Sequence, residues 1–304
     1  MKKNIFCILL VLVVNLLIVS CTRKVSEDVP KVDSTVIAVD TVTIENNSSI
    51  NTSEDISTIK DINNNIYHTI KIGNQTWMLE NLSVTSYRNG DQIPNIENDS
   101  LWGEATQGAY CNYNNVLSNG KHFGRLYNAL AAMDIRYLAP VGWHIPTVDE
   151  WECLKNYLAQ NGYGSGQGEK RLHETSVNNS AIHTVGAYIE TTKSEEIAKS
   201  LASKYEWKSS SSIIHNSDII ADLSKNNTSG FTALPSGYRF GKADFGECKF
   251  VGINNCTRWW ALKDNGSLVY TVFMDSNNSY LNINAARNDE KNNLGYAIRC
   301  IKDE

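Results

Sequence analysis

The sequence predicts a single α+β domain, and three local patterns support that class. Residues 66–79 alternate apolar and polar side chains on either side of a Gly-Asn turn, as the two strands of a hairpin do. Apolar residues recur at helical spacing in residues 148–160. Residues 258–274 form a second strand-like pair around an Asp-Asn-Gly turn. A folded part of roughly 240 residues is long enough to bury one substantial core.

The strongest local signal in the chain is the start of the predicted helix. Thr147 and Glu150 have the spacing of a capping box, in which each side chain bonds the backbone of the other. The helix is therefore predicted from about 148 to 160, where an Asn-Gly pair follows. A shorter helix, rich in Ala and Leu, is predicted at 124–133, and a final strand at 296–301.

The first twenty residues have the features of a bacterial signal segment. Lys2 and Lys3 precede an apolar stretch at 5–19, which is shorter than the ~20 residues of a spanning helix and fits a signal h-region. It ends in Val-Ser-Cys, which resembles a lipobox whose cysteine is acylated. An ordinary signal anchor with an incidental cysteine is the alternative. We predict a signal peptide at 1–20 and lipidation of Cys21, hence an outer membrane lipoprotein that faces the periplasm or the cell surface.

Residues 21–60 are predicted to form a disordered tether before the folded domain at 61–304. The stretch is rich in Ser, Thr, Asn and Asp and has no aromatic residue, so it cannot bury enough apolar surface to offset chain entropy. Two triplets in it, Asp-Ser-Thr and Asp-Thr-Val, resemble bacterial O-glycosylation sites. Ser34 and Thr41 are the candidate acceptors, and chance in a Ser/Thr/Asp-rich segment is the alternative.

Charge limits the expected partners. The formal net charge is −5, and it becomes −7 once Lys2 and Lys3 leave with the signal peptide. A mildly acidic chain is not typical of proteins that bind nucleic acid or anionic lipid headgroups. The expected partners are the membrane, through the N-terminal lipid, and a glycan or another envelope protein; no nucleic acid is expected.

The cysteines do not form a recognisable site. Five follow Cys21, and this odd number leaves at least one thiol unpaired within the monomer. None belongs to a Cys-x-x-Cys pair, which weakens zinc-site and thioredoxin-like interpretations. Cys153 lies in the predicted helix beside Trp151, and we expect it to be buried. A loop closed by Cys248 and Cys256 is an option, but the sequence leaves the connectivity open.

No assembled catalytic or metal-binding motif is present, and no cofactor is predicted. The histidines are scattered without i, i+4 pairs, and His144 is expected to pack and hydrogen-bond. Ser236 lacks the G-x-S-x-G elbow of a hydrolase nucleophile. Asp and Asn cluster at 275–278 and 288–290, where ligation of Ca²⁺ is one interpretation. Polar turns between strands are the other, which we favour.

Exposed aromatic side chains stack on sugars and anchor interfaces, which makes an exposed tryptophan a candidate binding residue. Trp77 and Trp151 lie in the predicted hairpin and helix and are expected in the core. Trp207, Trp259 and Trp260 lie in or near loops and are the candidate ligand-binding residues. Because neighbouring strand residues point to opposite faces, one of the last two is expected to be buried and the other more accessible.

Five segments, in this order, resemble the Fibrobacter succinogenes major paralogous domain of secreted and lipid-anchored bacterial proteins. They are 72–82 (IGNQTWMLENL), 124–128 (GRLYN), 140–151 (PVGWHIPTVDEW), 231–239 (FTALPSGYR) and 295–302 (GYAIRCIK). That family is similar in turn to the formylglycine-generating-enzyme, or sulfatase-modifying-factor-like, branch of the C-type-lectin-like fold. The resemblance implies two main helices on twisted antiparallel sheets with long loops, and it brings no defined activity.

The sequence departs from both functional patterns of that fold. The oxidase relatives use a cysteine pair that binds copper, whereas Cys256 and Cys300 each stand alone here. None of the triplets that hold Ca²⁺ in sugar-binding lectins of this fold occurs. The leading hypothesis is therefore a non-enzymatic, lipid-anchored envelope protein that binds glycan or protein through loops at about 204–282. A diverged enzyme related to the oxidases and a structural, fimbria-like component are the alternatives.

Overall fold

The framework of the protein is two five-stranded sheets and one two-stranded sheet, seen in a computed structural model that describes residues 57–164, 196–241, 249–263, 266–286 and 293–304. The described strands are β1 (Ser57–Lys60), β2 (Ile66–Ile72), β3 (Gln75–Met78), β4 (Tyr110–Cys111), β5 (Leu126–Tyr127), β6 (Trp143–His144), β7 (Ser236–Phe240), β8 (Lys249–Ile253), β9 (Cys256–Lys263), β10 (Leu268–Asp275), β11 (Asn282–Ala285) and β12 (Ile301–Lys302). The described helices are α1 (Asp99–Gly103), α2 (Leu117–Phe123), α3 (Ala129–Ala132), α4 (Val148–Gln160) and α5 (Ala198–Leu201). The predicted mixed α+β class is confirmed, with more sheet than helix.

The first sheet joins strands from both ends of the described chain. Its order is β1-β2-β3-β12-β6, and every pair is antiparallel. The predicted hairpin is β2 and β3, and Gly73 takes a φ of +60° in their turn, a conformation that glycine adopts at little cost. Strand β1 lies inside the predicted tether at 21–60, so the folded part already includes residue 57.

The second sheet carries the other predicted hairpin. Its order is β11-β10-β9-β7-β8. Antiparallel pairing of β9 and β10 places Arg258 opposite Phe273 and Cys256 opposite Asp275. Strand β11 continues this register with Asn282 opposite Phe273, and β7 runs parallel to β9 on the other side. Four neighbouring strands therefore present side chains in one transverse line.

Helix α4 spans the predicted residues, and its start has the predicted capping box. The Thr147 hydroxyl accepts a bond from the Glu150 backbone N–H at 3.2 Å, and the Glu150 carboxylate accepts one from the Thr147 N–H at 2.7 Å. Trp151, Leu154 and Leu158 form the buried face. The helix is fixed at its N-terminus by hydrogen bonds and along its length by apolar packing.

Two local predictions are wrong in whole or in part. Cys153 is exposed, not buried, because successive helical residues turn by about 100° and place it away from the apolar face. Of the helix predicted at 124–133, only α3 forms. Leu126–Tyr127 instead form strand β5, paired with β4, and the Asn128 side chain then caps α3.

Four aromatic rings form the centre of one core. Trp77 lies 4.7 Å from Trp151 and 5.6 Å from Phe231 between ring centroids, and Trp151 lies 5.5 Å from Trp259. All four side chains are fully buried. They come from β3, α4, the segment before β7, and β9, so the cluster joins both large sheets through the helix.

The C-terminal segment connects all three sheets. Residues 295–297 form isolated bridges to β7, β5 and β9 in turn. Ile301 of β12 then pairs with Trp77 on one side and His144 on the other. The strand predicted at 296–301 is thus a run of single bridges followed by a two-residue strand.

Several predictions fall on residues outside the described part. These are the signal peptide, Cys21, Ser34, Thr41, Cys248 and the acidic cluster at 288–290. Among the residues that are described, no helix is both long and apolar enough to cross a membrane.

Candidate functional site

The candidate site is a line of half-buried side chains across one face of the second sheet. We call it the cross-strand row, and it consists of Asn282, Phe273, Arg258 and Tyr238. Residues directly opposed in an antiparallel pair share a face, which places Asn282, Phe273 and Arg258 together. The parallel pairing of β7 and β9 brings Tyr238 to the other side of Arg258. All four side chains are partly exposed.

Arg258 lies between two aromatic rings. Its Cζ atom is 4.4 Å from the ring centroid of Tyr238 and 4.6 Å from that of Phe273. The rings attract the cation and shield it from water, while its N–H groups lie in the guanidinium plane. The Nε atom is buried without a hydrogen-bond partner among the described residues. No hydrogen bond to a carbonyl or carboxylate oxygen within the described part holds this guanidinium.

Two other arginines show how a purely structural guanidinium is held in this fold. Arg239 is fully buried and bonds three oxygens from residues 96–99, including the Asp99 carboxylate at 2.7 Å. Arg299 is also buried and donates to the Asn81 side chain at 3.1 Å and a backbone carbonyl at 2.8 Å. Buried donors of this kind are normally satisfied by protein acceptors. Among the described residues, no carbonyl or carboxylate oxygen bonds Arg258. Its side chain interacts with the Tyr238 side chain and its Nε is buried, so its Nη groups are the donors that remain for a ligand.

Asp275 adds a carboxylate to the face of the cross-strand row. It lies two positions along β10 from Phe273, and alternate residues of a strand share a face. Burial raises the pKa of Asp275, and the nearby charge of Arg258 opposes that shift. The face thus combines a cation, an acid, an amide and two rings. Such a set suits a polar ligand that also has an apolar surface.

A separate cavity of about 260 Å³ lies near His144 and is lined mainly by apolar residues such as Met133, Leu138 and Ile145. His144 Nε2 is 2.8 Å from the Glu150 carboxylate, and Nδ1 is 2.6 Å from that of Asp303. The bond to Glu150 and then that to Asp303 raise the pKa of His144, while burial opposes them. Both ring nitrogens are engaged, so the histidine joins β6 to helix α4 and to the residue after β12.

The thiols that the enzyme alternative requires are buried. Burial raises the pKa of Cys256 to about 12, and burial also raises the pKa of Cys300. A reactive cysteine needs the opposite shift, because the thiolate is the nucleophile and the metal ligand. Within the described part of the chain, no group of three His, Cys, Asp or Glu side chains is placed to hold a metal ion.

The family model of the Fibrobacter succinogenes major domain matches residues 70–302. The chain belongs to this family. The resemblance predicted from five sequence segments is thereby confirmed. No curated protein and no solved structure matches the chain.

The segments that identify the family form the framework that supports the cross-strand row. Arg239 closes segment 231–239, and Arg299 lies in segment 295–302; both are fully buried. Trp77 and Trp151 belong to the central aromatic cluster, as expected for core residues. Tyr238 is the member of the row that lies within such a segment, and it neighbours the buried Arg239.

The tryptophans predicted as ligand-binding residues are all buried. Trp207 is 3% exposed, and Trp259 and Trp260 are 0% exposed. The expectation that one of the last two is accessible is wrong, because both faces of β9 are covered there. Trp259 packs in the central cluster, and Trp260 packs against Tyr296 with ring centroids 4.4 Å apart. None of the three offers a free ring face for stacking.

Sequence reasoning missed the members of the cross-strand row, although part of the signal was present. A hairpin turning at 264–266 sets Arg258 opposite Phe273 by register alone. The partial exposure of that pair follows less directly, because it depends on what covers the sheet. The position of Tyr238 depends on a parallel pairing between distant segments, which carries no local sequence signal.

The Asp and Asn cluster at 275–278 forms a polar turn. The Asn277 carbonyl oxygen accepts from the Ser210 backbone N–H at 2.9 Å, and the Asn278 oxygen accepts from the Tyr280 N–H at the same distance. The first bond joins residue 210 to this turn, and the second lies within the turn itself. Of the two clusters for which Ca²⁺ ligation was an alternative, the one at 275–278 therefore fits the favoured interpretation, a polar turn next to a strand.

Proposed function

We propose that this protein is a lipid-anchored envelope protein that displays a non-enzymatic binding domain for a glycan or another protein. The lipobox-like sequence before Cys21 supports the anchor, and the outer membrane is the proposed location. We also propose that the mixed α+β framework is a C-type-lectin-like variant, in which loops and one sheet face carry the ligand. The predicted O-glycans on Ser34 and Thr41 belong to the same proposal.

The observation that supports binding most directly is the cross-strand row. Arg258 is held between two rings, yet within the described part of the chain no carbonyl or carboxylate oxygen bonds it, as such oxygens bond Arg239 and Arg299. An arginine flanked by aromatic residues is typical of the energetic centre of a binding surface. The row also lies within residues 204–282, the region predicted to engage the ligand.

An enzyme would need a free base or nucleophile at a cavity. His144 lines the apolar cavity, but Glu150 and Asp303 occupy both of its nitrogens, and Glu150 also caps helix α4. Cys256 and Cys300 hold their protons because they are buried. These contacts favour a structural role for each residue and support the binding proposal over the diverged enzyme.

A glycan array and a pull-down from envelope extracts test the proposal with the full chain purified in detergent. Binding in either assay that is lost in Arg258→Gln is the expected result. Lys71→Gln is the matched control, because it removes the same charge from an exposed position on β2 of the first sheet. Blank results in both assays, or equal losses in the two variants, would contradict the proposal.

A further inference from the structure

We propose that the cross-strand row binds a sugar residue that carries a carboxylate, with Arg258 as the anchor of the acid group. This inference rests on the proposed binding function and specifies the chemistry of its ligand. It starts from the contrast between Arg258 and the five other described arginines. Each of those five donates to at least one carbonyl or carboxylate oxygen of the described chain, as the bonds of Arg88, Arg125, Arg136, Arg239 and Arg299 show.

The shape of the guanidinium group selects a carboxylate. Its N–H groups form a rigid planar fork, which matches the two oxygens of a carboxylate in a bidentate pair. The rings of Tyr238 and Phe273 flank the group at 4.4 and 4.6 Å, limit its motion and reduce its contact with water. A charge-assisted pair is stronger at such a partly desolvated position than on an open surface.

The remaining groups on this face select a sugar over other anions. Asp275 accepts hydrogen bonds and repels every anion, and this repulsion grows with the charge of the ligand. It therefore disfavours phosphate and a peptide with several acids more than a ligand with one carboxylate. Hydroxyl groups, in contrast, donate to a carboxylate, and Asn282 offers both a donor and an acceptor nearby. The two rings supply apolar contact for the C–H groups of a sugar ring. One acid and several hydroxyls on a compact ring fit this arrangement.

Binding to four probes tests the inference, with the full chain in detergent. The probes are oligosaccharides that end in glucuronic acid, oligosaccharides of equal length that end in glucose, a tetraglutamate peptide and inorganic phosphate. Calorimetry should detect the uronate probe and give at least about tenfold weaker binding for the other three, since a charge-assisted pair contributes about one to two factors of ten.

The variants separate the role of the fork from that of the charge. Arg258→Lys keeps the charge and removes the bidentate geometry, and it should weaken uronate binding about tenfold or more. Arg258→Gln should lose more, Phe273→Leu should weaken binding through the lost ring, and Lys71→Gln should change nothing. Thermal unfolding and circular dichroism of each variant identify any that fails to fold, and Arg258→Lys then decides the question because it conserves size and charge best.

Each alternative outcome has a defined meaning. Equal binding of the glucose and glucuronate probes would overturn the carboxylate inference while leaving glycan binding in place. Stronger binding of tetraglutamate or phosphate would overturn the sugar class in favour of an acidic peptide or a simple anion. Uronate binding that survives in Arg258→Gln would place the ligand elsewhere and overturn the site. No binding of any probe would overturn the inference, and the array and pull-down would then decide the broader proposal separately.

Discussion

Replacing Trp151 tests the central argument of the fold, that helix α4 is fixed by its cap and by one buried ring. Trp151 is fully buried and contacts Trp77, Phe231 and Trp259 with ring centroids 4.7 to 5.9 Å away. Burying about 200 Å² of aromatic surface at about 25 cal/mol/Å² contributes about 5 kcal/mol. The Nε1 atom, however, is buried without a described partner, which costs about 1–3 kcal/mol. The difference of these two terms leads us to expect that Trp151→Ala lowers the free energy of unfolding by about 2–4 kcal/mol.

Three further variants of the same helix provide unfolding free energies for comparison with Trp151→Ala. Thr147→Ala should cost about 1 kcal/mol, because it removes the hydroxyl of the capping box. Glu152→Ala should cost less than about 0.5 kcal/mol, since that side chain is 41% exposed and its ion-pair partner among the described residues is Lys155. Trp151→Phe should cost less than about 2 kcal/mol, because it keeps a ring in the cluster and removes the unpaired N–H.

Urea denaturation followed by far-ultraviolet circular dichroism measures all four variants without relying on tryptophan fluorescence. The expected order of cost places Trp151→Ala first and Glu152→Ala last. If Trp151→Ala were as mild as Glu152→Ala, the ring would not be part of the core and the description of α4 would be refuted. If Trp151→Phe cost as much as Trp151→Ala, the unpaired N–H would have a partner that the described residues do not show.

Three more predictions concern the His144 contacts, the buried thiols and the N-terminal lipid. Bonds to Glu150 and Asp303 raise the pKa of His144, so its stabilising effect is complete below its ordinary pKa of 6.5 and is lost as pH rises through the raised value. The pKa of Glu150 is lowered by its bonds to His144 and Thr147 despite burial, so its effect is complete above 4.5 and is lost as pH falls. The stability difference between wild type and His144→Gln in urea should therefore be largest between about pH 4.5 and 6.5, and a difference independent of pH would contradict this. Maleimide should label Cys153 in the native protein and Cys111, Cys256 and Cys300 only after unfolding, as mapped by peptide mass spectrometry; native labelling of the last three would refute their burial. Cys21→Ala should move the protein from the detergent phase to the aqueous phase of a cloud-point partition, and equal partitioning of both forms would refute the lipid anchor.

The parts of the fold that the sequence predicted are those with local causes. The capping box of α4 and the Gly73 turn depend on residues within a few positions of each other, and both formed as predicted. The exposure of Cys153 could also have been predicted from helical geometry. Its neighbours Trp151 and Leu154 had already defined the buried face, and Cys153 lies off that face.

The parts that escaped prediction depend on contacts between distant segments. Trp260 is buried because Tyr296, which comes 36 positions later, covers its face of the sheet. The candidate site has the same origin, since Tyr238 meets Arg258 only through the parallel pairing of β7 and β9. Strand alternation predicts which residues share a face, but it does not predict which of the two faces another segment covers.

The C-terminal segment that touches all three sheets also bears on when the domain can fold. Residues 295–302 bridge β5, β7 and β9 and insert β12 between β3 and β6, so the sheets stay incomplete until these residues are available. Domains usually begin to fold during synthesis from the N-terminal end, but contacts that span the whole domain form late. The final step of assembly must therefore wait until translation has passed residue 302. If the proposed signal peptide directs export during synthesis, this delay would keep the domain unfolded while it crosses the membrane.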